Sequence, residues 1–217
     1  MQKTVFLFDL DGVIVDTAVY HFQAWRQLAN ALGFDIDEAF NEQLKGISRV
    51  DSLKRILDHG GVTLSPEDFD HWAAQKNTWY LELIEQMTPA HLLPGVAEFF
   101  AECKQNSIPC GLGSASKNAP KILEKVGLLD AFDVLVDGNS VSKSKPDPEV
   151  FLKGAELLHA NPSSCIVFED ALAGIEAAQA AGMKSIGIGD PEVLTGADWV
   201  IPGFASISVS DVITKIQ

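Results

Sequence analysis

Four apolar residues, Val5-Phe6-Leu7-Phe8, run straight into Asp9-Leu10-Asp11-Gly12. That junction restricts the fold more than any other feature of the chain. An unbroken apolar run has no side to show to water, so it fits a strand covered on both faces, as in parallel sheets. The first strand is expected over residues 4–10. Carboxylates just past such a strand lie at the edge where open α/β sheets bind their ligands. Asp9 and Asp11 are two residues apart, so an extended backbone projects them to one side, and Gly12 permits a sharp exit. Two acids facing one pocket can divide labour, one as nucleophile or metal ligand and the other as proton carrier. The same tetrapeptide also suits a turn with two solvated acids, because acids and Gly crowd turns.

Beyond this strand the pattern is helical and amphipathic over residues 17–90. Phe22, Trp25, Leu28, Ala29 and Leu32 keep helical spacing, and Gly33 reads as a stop. Val50, Leu53, Ile56 and Leu57 form a second stripe, closed by Gly60-Gly61. Ser65-Pro66-Glu67-Asp68 reads as a helix start, with a cap, a Pro at the first helical position and acids at the positive end of the dipole; that helix is expected to reach about Met87. From Leu93-Pro94-Gly95 onward, strands alternate with helices. Strands are expected at residues 108–113, 132–136, 165–168, 184–189 and 198–201. Such alternation implies a parallel sheet with helices on both faces. The fold class is therefore α/β: a Rossmann-like core over residues 1–16 and 91–217, interrupted by an all-helical cap over residues 17–90. The hinges are expected near residues 15–17 and 92–95.

A chain of 217 residues with 47% apolar content suits one large domain or one domain carrying an insert. The formal charge of −14 argues against nucleic acid and against anionic membranes as partners. Cys103, Cys110 and Cys165 are odd in number and unclustered, which favours buried thiols in a reducing compartment. The amino terminus shows no basic stretch followed by a long apolar segment, and no run approaches the ~18 apolar residues of a membrane span. The expectation is a cytoplasmic protein in which nothing requires more than a monomer.

Three further segments place chemistry at strand ends. Ile108–Gly113 leads to Ser114, and Ala115-Ser116-Lys117-Asn118 leads into the next helix. A hydroxyl with backbone N–H groups at a helix start can hold an anion, although an ordinary Ser/Asn cap explains an isolated instance equally well. Lys145-Pro146-Asp147-Pro148 stiffens a loop and aims Lys145 as a point charge. Ile166-Val167-Phe168 ends in Glu169-Asp170. These acids fit either a hard cation such as Mg²⁺ or an acidic helix start. A parallel sheet gathers all four strand ends on one edge, which favours a shared site.

In their order these segments resemble the four motifs of the haloacid-dehalogenase-like phosphotransferase superfamily. Within it, Tyr20–Trp25, Asn41–Arg49 and Lys76-Asn77 make the cap similar to that of the β-phosphoglucomutase branch. The resemblance implies a phosphohexomutase that interconverts β-D-glucose 1-phosphate and glucose 6-phosphate. The route runs through an aspartyl phosphate and a 1,6-bisphosphate; the alternative is a Mg²⁺-dependent sugar-phosphate phosphatase. By the same resemblance Asp9 is the nucleophile and Asp11 the general acid/base. Asp9, Asp11 (through its carbonyl), Glu169 and Asp170 hold Mg²⁺. Ser114, Ala115 and Lys145 hold the transferring phosphoryl group. Arg49, with Ser116, Lys117 and Asn118, clamps the second phosphate. Thr17, His21, Trp25, Lys45, Gly46, Ser52 and Lys76 line the cap side. The bland readings are a salt bridge to Asp51 for Arg49, an interface position for His21 and a solvated position for Lys76. Val15 stands where mutase relatives often carry Thr and phosphatase relatives carry Val.

Overall fold

The computed structural model describes residues 4–216. Strand β1 (Val5–Phe8) lies at the centre of a six-stranded parallel sheet of order β3-β2-β1-β4-β5-β6. Its partners are β2 (Cys110–Gly113) and β4 (Cys165–Glu169), flanked by β3 (Val134–Val136), β5 (Lys184–Ile188) and β6 (Trp199–Ile201). The strand order reverses at β1, the topological switch point where ligands settle in such sheets.

All four residues of β1 are buried, and the two-residue period divides them between two cores. Phe6 and Phe8 join Phe99, Phe168 and Phe204 in one cluster; Val5 and Leu7 pack with Phe151, Val167 and Met183 on the other face. Each buried Phe contributes about 2–3 kcal/mol by leaving water. These two layers pin the register, Phe8 facing Leu112 and Phe168, so the chain leaves β1, β2 and β4 at one level.

β1 is shorter than the expected span of 4–10, because Asp9 already turns into the loop, and its amide makes the last sheet bond, to the Phe168 carbonyl. β2 starts at Cys110 and not at 108: Pro109 has no amide to donate, although its carbonyl still accepts from Phe6.

Between β1 and β2 the chain forms α1 (Ala18–Ala31), α2 (Glu38–Glu42), α3 (Arg49–Gly60) and α4 (Pro66–Ile84). They surround a core of their own, built from Trp25, Leu28, Ile36, Leu53, Ile56 and Leu57. Ser65 caps α4 by accepting from the Asp68 amide, and Ser48 caps α3 by accepting from the Asp51 amide. Helix α4 ends at Ile84, short of Met87, and α2, unexpected from the sequence, is a short helix capped by Asp37. The two passages back to the sheet run side by side: Val15 bridges Leu92, and the Leu93 amide donates to the Ile14 carbonyl. Five further helices, α5 (Val96–Gln105), α6 (Ala119–Lys125), α7 (Glu149–Leu157), α8 (Leu172–Ala180) and α9 (Val209–Ile216), cover the sheet. No helix among the described residues is long and apolar enough to cross a membrane. Cys103, Cys110 and Cys165 are buried free thiols.

Candidate active site

A cavity of about 930 Å³ lies between the carboxyl edge of the sheet and helices α1–α4. Its floor is built from strand ends. Asp9 follows β1, Ser114 follows β2, and Glu169 closes β4 with Asp170 beyond it. Lys145, from the loop before α7, reaches across: its ammonium donates to Asp9 Oδ1 at 2.5 Å and to Glu169 Oε1. All three side chains are buried. Burial alone would depress the Lys145 pKa, but Asp9 and Glu169 more than offset it and keep the lysine charged.

The acids crowd one another. Asp9, Glu169 and Asp170 can each offer a carboxylate oxygen, all within 4.8 Å of one another. Burial, then the charges of Glu169 and Asp9, push the Asp170 pKa well up. Asp11 is pushed up to about 6, first by burial and then by Asp9, against the pull of a hydrogen bond from Thr17. Two glycines make the crowding sterically feasible. A Cβ on Gly12, whose φ is +80°, would collide with the Asp170 carboxylate, and one on Gly174 would collide with that of Glu169. Closely spaced hard oxygen donors fit a hard divalent cation and not a soft metal. Lys45, the only cation paired with Asp170 among the described residues, stands 3.7 Å away and is shared with Glu42.

The roof carries the opposite charge. Arg49, at the start of α3, has no carboxylate within ion-pair distance among the described residues. Asp51, its expected partner, turns instead to Lys54, Ser48 and Ser144. Lys76 is 2% exposed, so it is not a solvated helix residue. Its ammonium lies 2.9 Å from His21 Nδ1 and 4.3 Å from the centre of the Trp25 ring. Burial lowers the Lys76 pKa, and Arg49 lowers it further. Burial, then Lys76 and Arg49, hold His21 neutral, so its Nδ1 accepts.

Nearly every residue singled out in the sequence lines this cavity: Asp9, Asp11, His21, Trp25, Lys45, Gly46, Arg49, Ser52, Lys76, Ser114 through Asn118, Lys145 and Asp170. Two do not. Thr17 is fully buried and gives its hydroxyl proton to Asp11, so it meets the acid and not the cavity. Glu169 lies beneath the floor, held by Lys145 and by the Ala171 amide at 3.0 Å. Val15 is buried as well and faces no ligand space. Sequence reasoning missed Asn41, Tyr80 and the Ser144–Asp51 bridge (3.0 Å). No local pattern in α2 or α4 singles out Asn41 or Tyr80, and nothing local signals a contact 93 positions apart in sequence.

Residues 3–182 match the family described as haloacid dehalogenase-like hydrolase. The chain is 43% identical to β-phosphoglucomutase of Bacillus subtilis (strain 168) over 200 residues, 90% of this chain and 87% of that protein. The crystal structure of β-phosphoglucomutase from Clostridium difficile superposes with a TM-score of 0.95 at 44% identity, covering 98% of this chain and 96% of that one. A phosphorylated carbohydrates phosphatase of Thermotoga maritima is 31% identical over 83% of this chain and 82% of its own length.

Proposed function

The chain belongs to the haloacid dehalogenase-like hydrolase family, and from that premise we propose that it is a phosphohexomutase acting on β-D-glucose 1-phosphate. Residues 17–90 act as a cap over a core formed by residues 1–16 and 91–217. The supporting observation is the charge asymmetry of the cavity. Its floor holds a nucleophilic carboxylate paired with Lys145, and its roof holds Arg49 and Lys76 with no carboxylate of their own. A hydrolase needs one phosphate seat. An enzyme that moves phosphate between two ends of a sugar needs two, and a guanidinium fork suits the one that does not react.

Phosphoryl transfer is chiefly positioning and charge stabilisation. Asp9, carrying a phosphoryl group on its carboxylate, gives it to the sugar 6-hydroxyl while Asp11 takes the hydroxyl proton. The resulting bisphosphate turns over in the cavity. Asp9 then attacks the phosphorus at C1, the C1–oxygen–phosphorus link breaks, and Asp11 returns its proton to the departing sugar oxygen. An Asp11 pushed up to about 6 is suited to both directions near neutral pH. Ser114, the Ala115 amide and Lys145 face the group in flight; Arg49, Ser116, Lys117 and Asn118 hold the other phosphate. Asp9, Asp170 and the Asp11 carbonyl, with Glu169 behind them, would hold a Mg²⁺ ion, whose charge would let a phosphate approach these carboxylates. The Ser144–Asp51 and Asn118–Asn77 hydrogen bonds (3.0 and 2.9 Å) tie roof to floor and help exclude water, which would otherwise take the phosphoryl group.

Product identity tests the proposal. β-D-glucose 1-phosphate with Mg²⁺ and a bisphosphate primer should give glucose 6-phosphate, with little turnover when the primer is left out. Glucose and inorganic phosphate as the main products would make the protein a sugar-phosphate phosphatase.

A further inference from the structure

A polar side chain that leaves water normally finds a hydrogen bond inside the protein. Most buried polar side chains here do so, as Lys76 does with His21 and Lys145 with Asp9. Three do not. The side chains of Asn41, Ser52 and Ser185 are buried and make no hydrogen bond with any described residue. Ser185 lies on β5 and does not line the cavity, whereas Asn41 and Ser52 both do. The sequence resemblance already gives Ser52 a place on the cap side. It gives Asn41 none.

Asn41 is 6% exposed, as buried as Leu44 at 7%. Helix α2 does not need its side chain. The backbone amide of Asn41 donates to the Asp37 carbonyl at 3.1 Å, and its carbonyl accepts from the Leu44 amide at 3.0 Å. Asp37 supplies the cap by accepting from the Phe40 amide. Phe40 and Leu44 pack into the apolar core of the cap, so an apolar residue between them would avoid the cost of burying an unpaired amide. What the amide offers is chemistry for a ligand: two donor protons and an acceptor oxygen, without charge. The cavity's cations, Arg49, Lys76 and Lys145, suit phosphate; a neutral donor and acceptor on one group suits a hydroxyl. In the proposed reaction the two ends of the sugar exchange places, so a side chain beside the ring meets hydroxyls turned both ways. A group that both gives and accepts serves either orientation.

We propose that Asn41 is a specificity-determining residue whose side-chain amide hydrogen-bonds a secondary hydroxyl of the sugar ring. The inference rests on the reading of the cavity as a sugar-phosphate site. A sugar that lacks this hydroxyl, or points it the other way, leaves the buried amide unpaired and is rejected for that reason.

Asn41→Ala removes the amide, and Asn41→Leu replaces it with an apolar side chain of similar size. With Mg²⁺ and primer, each should lower kcat/KM on β-D-glucose 1-phosphate about tenfold, the scale of one hydrogen bond. The 2-, 3- and 4-deoxy analogues of that substrate locate the contact. On at least one of them the advantage of the wild type should vanish, leaving variants and wild type within about twofold. Acetyl phosphate, a phosphoryl donor with no ring, should release acetate in the first turnover equally fast from all three proteins. The melting temperature of Asn41→Leu should stay level or rise, since an unpaired buried amide is gone. The same tenfold loss on glucose and on all three deoxy sugars would make the amide structural and overturn the proposal. An equal loss on acetyl phosphate, or an unchanged kcat/KM on β-D-glucose 1-phosphate, would also overturn it. Failure of the mutase reading shows separately, as free glucose made by the wild type; the deoxy comparison still reads Asn41 there, because a phosphatase binds the same ring.

Discussion

The floor and the roof of the cavity solve opposite electrostatic problems. On the floor, the buried cation has its partners inside the protein: Lys145 lies against Asp9 and Glu169, and Glu169 also accepts from the Ala171 amide. On the roof, no carboxylate among the described residues comes within ion-pair distance of Arg49 or Lys76, and Lys76 meets a neutral imidazole and aromatic rings. Buried charge is costly unless paired. The floor's lysine is therefore paired before substrate arrives, and its surplus of carboxylates calls for a cation. The roof is complete only with an anion in place, and the protein bears that deficit as a standing cost. On the proposed function, this contrast gives one end of the cavity to bond making and the other to holding.

The most severe test of the floor is Asp9→Asn. An amide is not a competent nucleophile, so transfer to any acceptor should fall below detection and mass spectrometry should find no phosphorylated protein. Residual mutase turnover would place the nucleophile elsewhere. Lys145→Ala should come next. It leaves two buried carboxylates without their cation, and urea denaturation should show a loss of about 3–5 kcal/mol. Lys76→Met probes the roof. It removes a buried ammonium that has no carboxylate partner, so stability should hold or rise by about 1 kcal/mol while mutase turnover drops. A destabilisation as large as that of Lys145→Ala would erase the distinction between floor and roof. Ser144→Ala should have the smallest effect. It cuts the bridge to Asp51, whose side chain is 44% exposed, and the stability change should stay below about 1 kcal/mol.

How much of this was legible beforehand follows the range of the interactions. β1 and its acids could be read from seven consecutive residues, because burial on both faces leaves a local mark. The start of α4 was equally plain, since Ser65, Pro66 and Asp68 do their capping within four positions. The convergence of Asp9, Ser114, Lys145 and Asp170 on one cavity followed from the alternation of strands and helices, which leaves few topologies. What escaped was tertiary. That Glu169 would sink beneath the floor depends on Gly174 in the next helix leaving room for it. That Thr17 would serve Asp11 and not the ligand depends on the turn at Gly12. The Ser144–Asp51 bridge and the unpartnered Tyr80 hydroxyl have no local signature.

One experiment addresses the division of the cavity most directly: phosphorus NMR time courses of the wild type and Arg49→Ala, each with β-D-glucose 1-phosphate, Mg²⁺ and bisphosphate primer. The wild type should convert the starting signal to glucose 6-phosphate. The variant should lose that conversion by about a hundredfold, the value of a bidentate phosphate contact, while its slow release of inorganic phosphate stays within a few-fold of the wild type. Equal losses of both activities would mean that Arg49 serves the reacting phosphate, and the separation of a holding end from a reacting end would be wrong.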